Sequence, residues 1–91
     1  MRNEKKGAIL LNFYSEGCIP CKKMDSVVTE FAEENDAVEV RRIEASSAPE
    51  TFDKYGIGKV PTFVCLKDGK ERGRIVGECG RRDIERLVSE G

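Results

Sequence analysis

Leu11-Asn12-Phe13-Tyr14-Ser15-Glu16-Gly17-Cys18-Ile19-Pro20-Cys21-Lys22 is the stretch where one kind of element gives way to another. Upstream, Ile9 to Tyr14 is an apolar run of strand length with Asn12 as its one polar interruption, and Ser15-Glu16-Gly17 breaks it. Downstream, Met24, Val27, Val28 and Phe31 fall at i, i+3, i+4 and i+7, one face of a helix expected from about Cys18 to Asn35. Pro20 then lies in the first helical turn, where its missing N–H has no intrahelical partner to lose. The cysteine pair is thereby placed at a strand-to-helix junction.

Two residues between Cys18 and Cys21 let both sulfurs meet across the opening turn of a helix. That turn offers unpaired N–H groups and the positive end of the helix macrodipole, and both favour a thiolate. Cysteines so placed drop from about 8.5 to roughly 3.5–7.5 in pKa. Cys18, the N-terminal sulfur, is expected to be the exposed nucleophile, and Cys21, one turn deeper, the resolving thiol. Lys22 and Lys23 add positive charge nearby, although two lysines on a helix are ordinarily solvated surface. A lone CxxC also fits half a zinc site or two packed core cysteines; its place in a β-α-β pattern favours redox chemistry.

Working outward, Val38, Val40 and Ile43 alternate with charged residues and predict a second strand over roughly 38–44. Ser47-Ala48-Pro49-Glu50 reads as a capping box that opens a short helix with Phe52 and Tyr55 on its buried side, stopped by Gly56. Thr62 to Lys67 is a third strand, Asp68-Gly69 a two-residue hairpin turn, and Lys70 to Val76 a fourth strand. Gly77 and Gly80 bracket a turn, and Ile84, Leu87 and Val88 mark the apolar face of a closing helix. The order β-α-β-α-β-β-α predicts one α/β domain over 8–90 behind a polar lead-in, 1–7. Its first two strands should be parallel, its last two a hairpin, and helices should cover both sheet faces.

Ninety-one residues suit a single domain. A chain this short buries about 60–65% of its unfolded surface, so the core is small. Sixteen basic and 17 acidic residues are interspersed, without the clustered positive face of a nucleic-acid protein or a polybasic membrane anchor. No stretch approaches the ~18–20 apolar residues of a membrane span. Ala8-Ile9-Leu10-Leu11 follows a charged start, yet it is too short for an export signal and no cleavage site follows. The four cysteines are unevenly spaced for a secreted disulfide framework. A reducing, cytoplasmic compartment is therefore expected, where a close cysteine pair is more often catalytic or metal-binding than structural. The chain is expected to be a monomer.

The sequence resembles the thioredoxin family in three pieces that occur in the right order. The first is the Leu11–Lys22 stretch above; the second is Lys54-Tyr55-Gly56-Ile57-Gly58-Lys59-Val60-Pro61-Thr62; the third is Lys67-Asp68-Gly69-Lys70 with Val76-Gly77 beyond it. Together they cover essentially residues 8–90. The fold this implies is thioredoxin-like, with a central four-stranded mixed sheet flanked by three helices. The family usually begins with a further strand and helix, and the seven lead-in residues leave no room for them, so a version trimmed at the N-terminus is expected. The activity implied is reduction of protein disulfides. An extended substrate segment would lie along the Val60-Pro61 edge, Cys18 would attack, and Cys21 would displace the reduced target. A thioredoxin-reductase-like partner, fed by a flavin and NADPH or by another donor, would then re-reduce the pair. No bound cofactor or metal is implied. Two rivals are a glutaredoxin-like enzyme recycled by glutathione, although that family's usual Cys-Pro-Tyr-Cys is absent, and a non-catalytic binding module with structural or metal-binding cysteines.

Individual positions carry two readings each. Pro61, from the residues alone, is an ordinary strand-opening proline; the resemblance implies a cis bond set against the cysteine pair, accessible because the residue is proline. Gly77 resembles the glycine that lets a substrate backbone approach closely, and is otherwise a turn glycine. Gly17 replaces the family's usual tryptophan and opens the rim of the site. Cys-Ile-Pro-Cys replaces Cys-Gly-Pro-Cys, and the retained Pro20 suggests a reductant more than an oxidant. Asn12 stands where the family commonly has a buried aspartate that relays the second cysteine's proton. Asparagine can hydrogen-bond but cannot accept that proton at neutral pH. Losing the anion makes Cys21 easier to ionise, whereas losing the base closes one proton route. Water or Glu16 is the acceptor expected in its place, and a local hydrogen bond is the plainer reading of Asn12. Cys65 reads as a small buried hydrophobe, and Cys79 as a passive cysteine or a redox-sensing thiol beside the substrate groove.

Overall fold

The computed structural model describes residues 7–90. Its elements are β1 (Ala8–Tyr14), α1 (Ile19–Glu34), β2 (Glu39–Glu44), α2 (Pro49–Tyr55), β3 (Thr62–Lys67), β4 (Lys70–Val76) and α3 (Arg81–Glu90). The lead-in expected over 1–7 lies outside the described residues, Gly7 excepted. One four-stranded sheet runs in the order β2-β1-β3-β4, with β1 parallel to β2 and antiparallel to β3, and β3 antiparallel to β4. Element order, mixed sheet and three helices are those predicted.

β1 and β3 hold the centre because they are apolar on both faces. Ala8 and Leu10 of β1, with Phe63 and Cys65 of β3, pack against Met24, Val28 and Phe31 of α1 and Ile84 and Val88 of α3. The alternate residues Leu11, Phe13, Val64 and Leu66 form a second core under Phe52 and Tyr55 of α2. Near-continuous burial of both central strands is what a sheet covered on its two faces demands. On the surface, Arg81 at the start of α3 bridges Glu30 and Glu34 of α1; such exposed pairs contribute little to stability.

One local expectation is corrected. The capping box at Ser47 does not form: Ala48 is the N-cap of α2 and makes no side-chain cap bond. Ser47 turns back instead, donating its hydroxyl (3.0 Å) and its N–H (3.1 Å) to Oε1 of Glu44 at the end of β2. A carboxylate one turn upstream competes for the serine more strongly than the orphan helix N–H groups do. The β3–β4 hairpin, whose strands run as read, also carries a β-bulge. Cys65 pairs with Gly73 but Leu66 pairs with Glu71, so Arg72 is an extra residue in β4. The Asp68-Gly69 turn itself is as read, both residues having positive φ (55° and 78°), the conformation of a type I′ hairpin.

The register also gathers the site. Phe13 near the end of β1 lies opposite Thr62, which lies opposite Val76 at the end of β4. The Ser15–Cys21 segment, Pro61 and Gly77 therefore emerge at one end of the sheet.

Candidate active site

Cys18 is the N-cap of α1, with extended backbone (φ −82°, ψ 109°), and its Sγ accepts the backbone N–H of Cys21 at 3.2 Å. Its carbonyl accepts the N–H of Lys22 at 3.1 Å, closing the first helical turn. Pro20 lies inside that turn. Gly17 reaches the cap with φ +82°, a conformation a side chain resists, so glycine at this position has a backbone reason beside the open rim. Cys18 and Cys21 are joined as a disulfide with Cα atoms 5.2 Å apart. Cys18 is half-buried, whereas Cys21 is 5% exposed. Ile19, between them, is 66% exposed.

Across the end of the sheet, the Val60–Pro61 peptide bond is cis, as the resemblance implies and against the reading from residues alone. Thr62 Oγ1 donates to the Lys59 carbonyl at 2.6 Å, and Gly77 N–H donates to the Pro61 carbonyl at 2.7 Å, so the loop is held from both sides. Gly77 has φ +99°, which explains a glycine there without a substrate. A Cβ built on it would have no heavy atom within 4 Å, although Gly77 and Pro61 are both buried. Val60 packs half-buried against the α2-side core.

Asn12 is 2% exposed and, by strand alternation, shares the α1-side face of β1 with Ala8 and Leu10. It lies opposite Arg42 of β2 and Phe63 of β3. A pocket of about 310 Å³ opens against Cys21 at the start of α1, walled also by Tyr14, Glu16, Lys22, Asp25 and Arg42 among others. Arg42 donates to Asp25 and sits 5.0 Å from the centre of the Tyr14 ring. Neither Asp25 nor Arg42 was singled out from sequence. The i, i+4 spacing of Cys21 and Asp25 was the available signal; nothing local points to Arg42.

The remaining cysteines are separate from the pair. Cys65 is fully buried in the α1-side core, and burial pushes its thiol pKa up. Cys79 is half-buried against the same core. Burial first and the Asp83 carboxylate second push its thiol up to about 11, which leaves it a poor sensor at neutral pH. Among the described residues no group of three or more His, Cys, Asp or Glu side chains is placed to hold a metal ion.

A half-buried sulfur held by a helix-start N–H, with a second sulfur bonded to it, can exchange one disulfide for another and pass two electrons in doing so. That chemistry on this sheet defines a dithiol–disulfide exchange protein. The thioredoxin family model matches residues 2–90. A thioredoxin of Chlamydia caviae is 31% identical over 84 residues, covering 92% of this chain and 82% of the relative. The thioredoxin of Bacillus subtilis is 32% identical over 85 residues, covering 92% and 82%. The crystal structure of Fasciola hepatica thioredoxin superposes with a TM-score of 0.86 at 32% identity, covering 98% of this chain and 86% of that one. The chain belongs to the thioredoxin family and is a thiol–disulfide oxidoreductase of the protein-disulfide reductase type. No helix among the described residues is long and apolar enough to cross a membrane.

Proposed function

We propose that this protein is a cytoplasmic, monomeric reductant of protein disulfides that maintains thiol redox balance, with Cys18 as nucleophile and Cys21 as resolving thiol. The observation that carries the division of labour is the Cys21 N–H donating to Cys18 Sγ at the helix start. In the reduced protein the same donor stabilises a Cys18 thiolate, a charge-assisted bond stronger than a neutral one. Cys21, nearly sealed from solvent, is reached only by a sulfur already tethered next to it. The substrate segment lies extended beside Val60 and cis-Pro61, with Gly77 keeping the approach open and Gly17 leaving the rim low. Asn12 and Pro20 support the pair from below and within the helix turn. Electrons come from a thioredoxin-reductase-like partner, and the chain itself binds no cofactor.

Insulin reduction with dithiothreitol as donor tests the reading. Cys18→Ser should abolish it, and Cys21→Ser should accumulate a covalent mixed disulfide through Cys18. A Cys21→Ser protein that forms no adduct, or turnover that requires glutathione, would reject the assignment.

A further inference from the structure

We infer that Asp25 is the proton acceptor through which Cys21 becomes a thiolate, working from the pocket beside α1. This rests on Cys21 being the resolving thiol. Resolution needs Cys21 as the thiolate, because the thiol is not the nucleophile. At 5% exposure Cys21 presents little surface, on the wall of the pocket, and the buried polar side chain on that face of β1, Asn12, cannot take a proton at neutral pH. The pocket wall supplies what Asn12 lacks.

Asp25 follows Cys21 by four residues, one turn along the same side of α1. Helical Cα–Cβ bonds tilt toward the N-terminus, so its carboxylate leans back over the turn that holds Cys21. Both residues wall the same pocket. Arg42 fixes the carboxylate by bonding Oδ1, and is itself seated over the Tyr14 ring; Oδ2 is the oxygen left to accept. The other charged groups facing the pocket are Lys22 of α1 and Glu16 of the loop before it. Lys22 and Arg42 favour the developing thiolate. Glu16, the acceptor expected from sequence, stands on an exposed loop and lacks the helical geometry that aims Asp25.

The step balances as follows. The Cys21 proton passes across the solvent of the pocket to Asp25 Oδ2 and on to bulk water. Cys21 Sγ attacks Cys18 Sγ in the mixed disulfide, the bond from Cys18 to the substrate sulfur breaks, and the Cys18–Cys21 bond forms. The substrate sulfur leaves with the electron pair and is protonated by solvent; the dithiol is oxidised and the substrate disulfide reduced.

Single-turnover release of substrate thiol, followed against pH after rapid mixing of reduced protein with a disulfide peptide, tests this. Asp25→Asn should slow release about tenfold at neutral pH, less than the 10²–10⁴ of a directly bonded base because the proton crosses solvent. Its rate should converge on the unmodified protein's in alkali, where Cys21 ionises without help. Arg42→Gln, which keeps the carboxylate but frees it and removes a favourable charge, should slow release less than Asp25→Asn does at neutral pH. Superimposable profiles for Asp25→Asn and the unmodified protein would overturn the inference. So would an equal, pH-independent slowing in both variants, or a loss confined to Glu16→Gln. Failure of the unmodified protein to form any Cys18 adduct would instead reject the resolving role itself.

Discussion

Cys18 and Cys79 are both half-buried, yet their surroundings differ. Cys18 has a backbone N–H aimed at its sulfur, while Cys79 has lost solvent and gained a neighbouring anion. A thiol with pKa of about 11 is roughly one part in a thousand thiolate at pH 8. In reduced protein, iodoacetamide at that pH should therefore label Cys18 at least about 100-fold faster than Cys79, as read by peptide mass mapping; similar rates would contradict the assignment. Ile19 and Val76 are the other informative side chains, exposed by 66% and 56% and both at the catalytic end of the sheet. Burying an aliphatic side chain of this size yields about 1.5–3 kcal/mol. Ile19→Ser should lower kcat/KM for a peptide disulfide with apolar flanks about tenfold and leave a small hydrophilic disulfide unaffected. Equal losses on both substrates would show that Ile19 acts on the cysteines rather than on the target. The sequence made both residues visible as departures or strand ends, but their exposure depends on neighbours that sequence does not order.

At the level of elements, the junction between β2 and α2 is tied by Glu44. Hydrogen bonds from Ser46 and Ser47 hold its carboxyl at a pKa of about 2, below the ordinary 4.5. A depressed carboxylate pKa means the folded state binds the proton less readily than the unfolded one. The tie is then at full strength above about pH 4.5 and is lost as the pH falls toward 2. Glu44→Gln should lower the urea midpoint at neutral pH, modestly because the group is exposed, and the gap should close near pH 2. A gap of constant size across that range would assign the effect to something other than ionisation. The boundaries of β3 and β4 were legible to the residue because alternation and the Asp-Gly turn are local signals. The cap of α2 was misread because Ser47 has two possible partners, and the stronger one comes from the preceding strand.

Over the whole molecule, the α2-side core supports the loop that carries Pro61. Phe13 is fully buried there, its ring 5.1 Å from that of Phe52 and edge-on to it, and 5.8 Å from that of Tyr55. Phe13 also lies opposite Thr62 across the β1–β3 ladder. Phe13→Ala should remove about 3–5 kcal/mol by loss of apolar burial and creation of a cavity. That is a large share of the roughly 5–15 kcal/mol typical of a folded domain. Urea unfolding measures it, and a loss under about 1 kcal/mol would mean that the core collapses around the gap. Packing between distant elements also explains Gly73. A Cβ there would come within 3.1 Å of Leu87 Cδ1, because α3 presses on β4 where Arg72 bulges.

By itself the sequence determined the order of elements, the two-sided burial of the central strands and the cysteine pair at a helix start. Each follows from periodicity, turn chemistry or covalent spacing within a dozen residues, and such signals survive without knowledge of the fold. Only the tertiary structure decided that Arg42 would reach Asp25 beside Cys21, 17 residues apart along the chain, and that Cys79 would be desolvated against the core. Those contacts exist because β2 pairs with β1 in one register and α3 docks on one face. Their energies are set by the neighbours that this packing supplies.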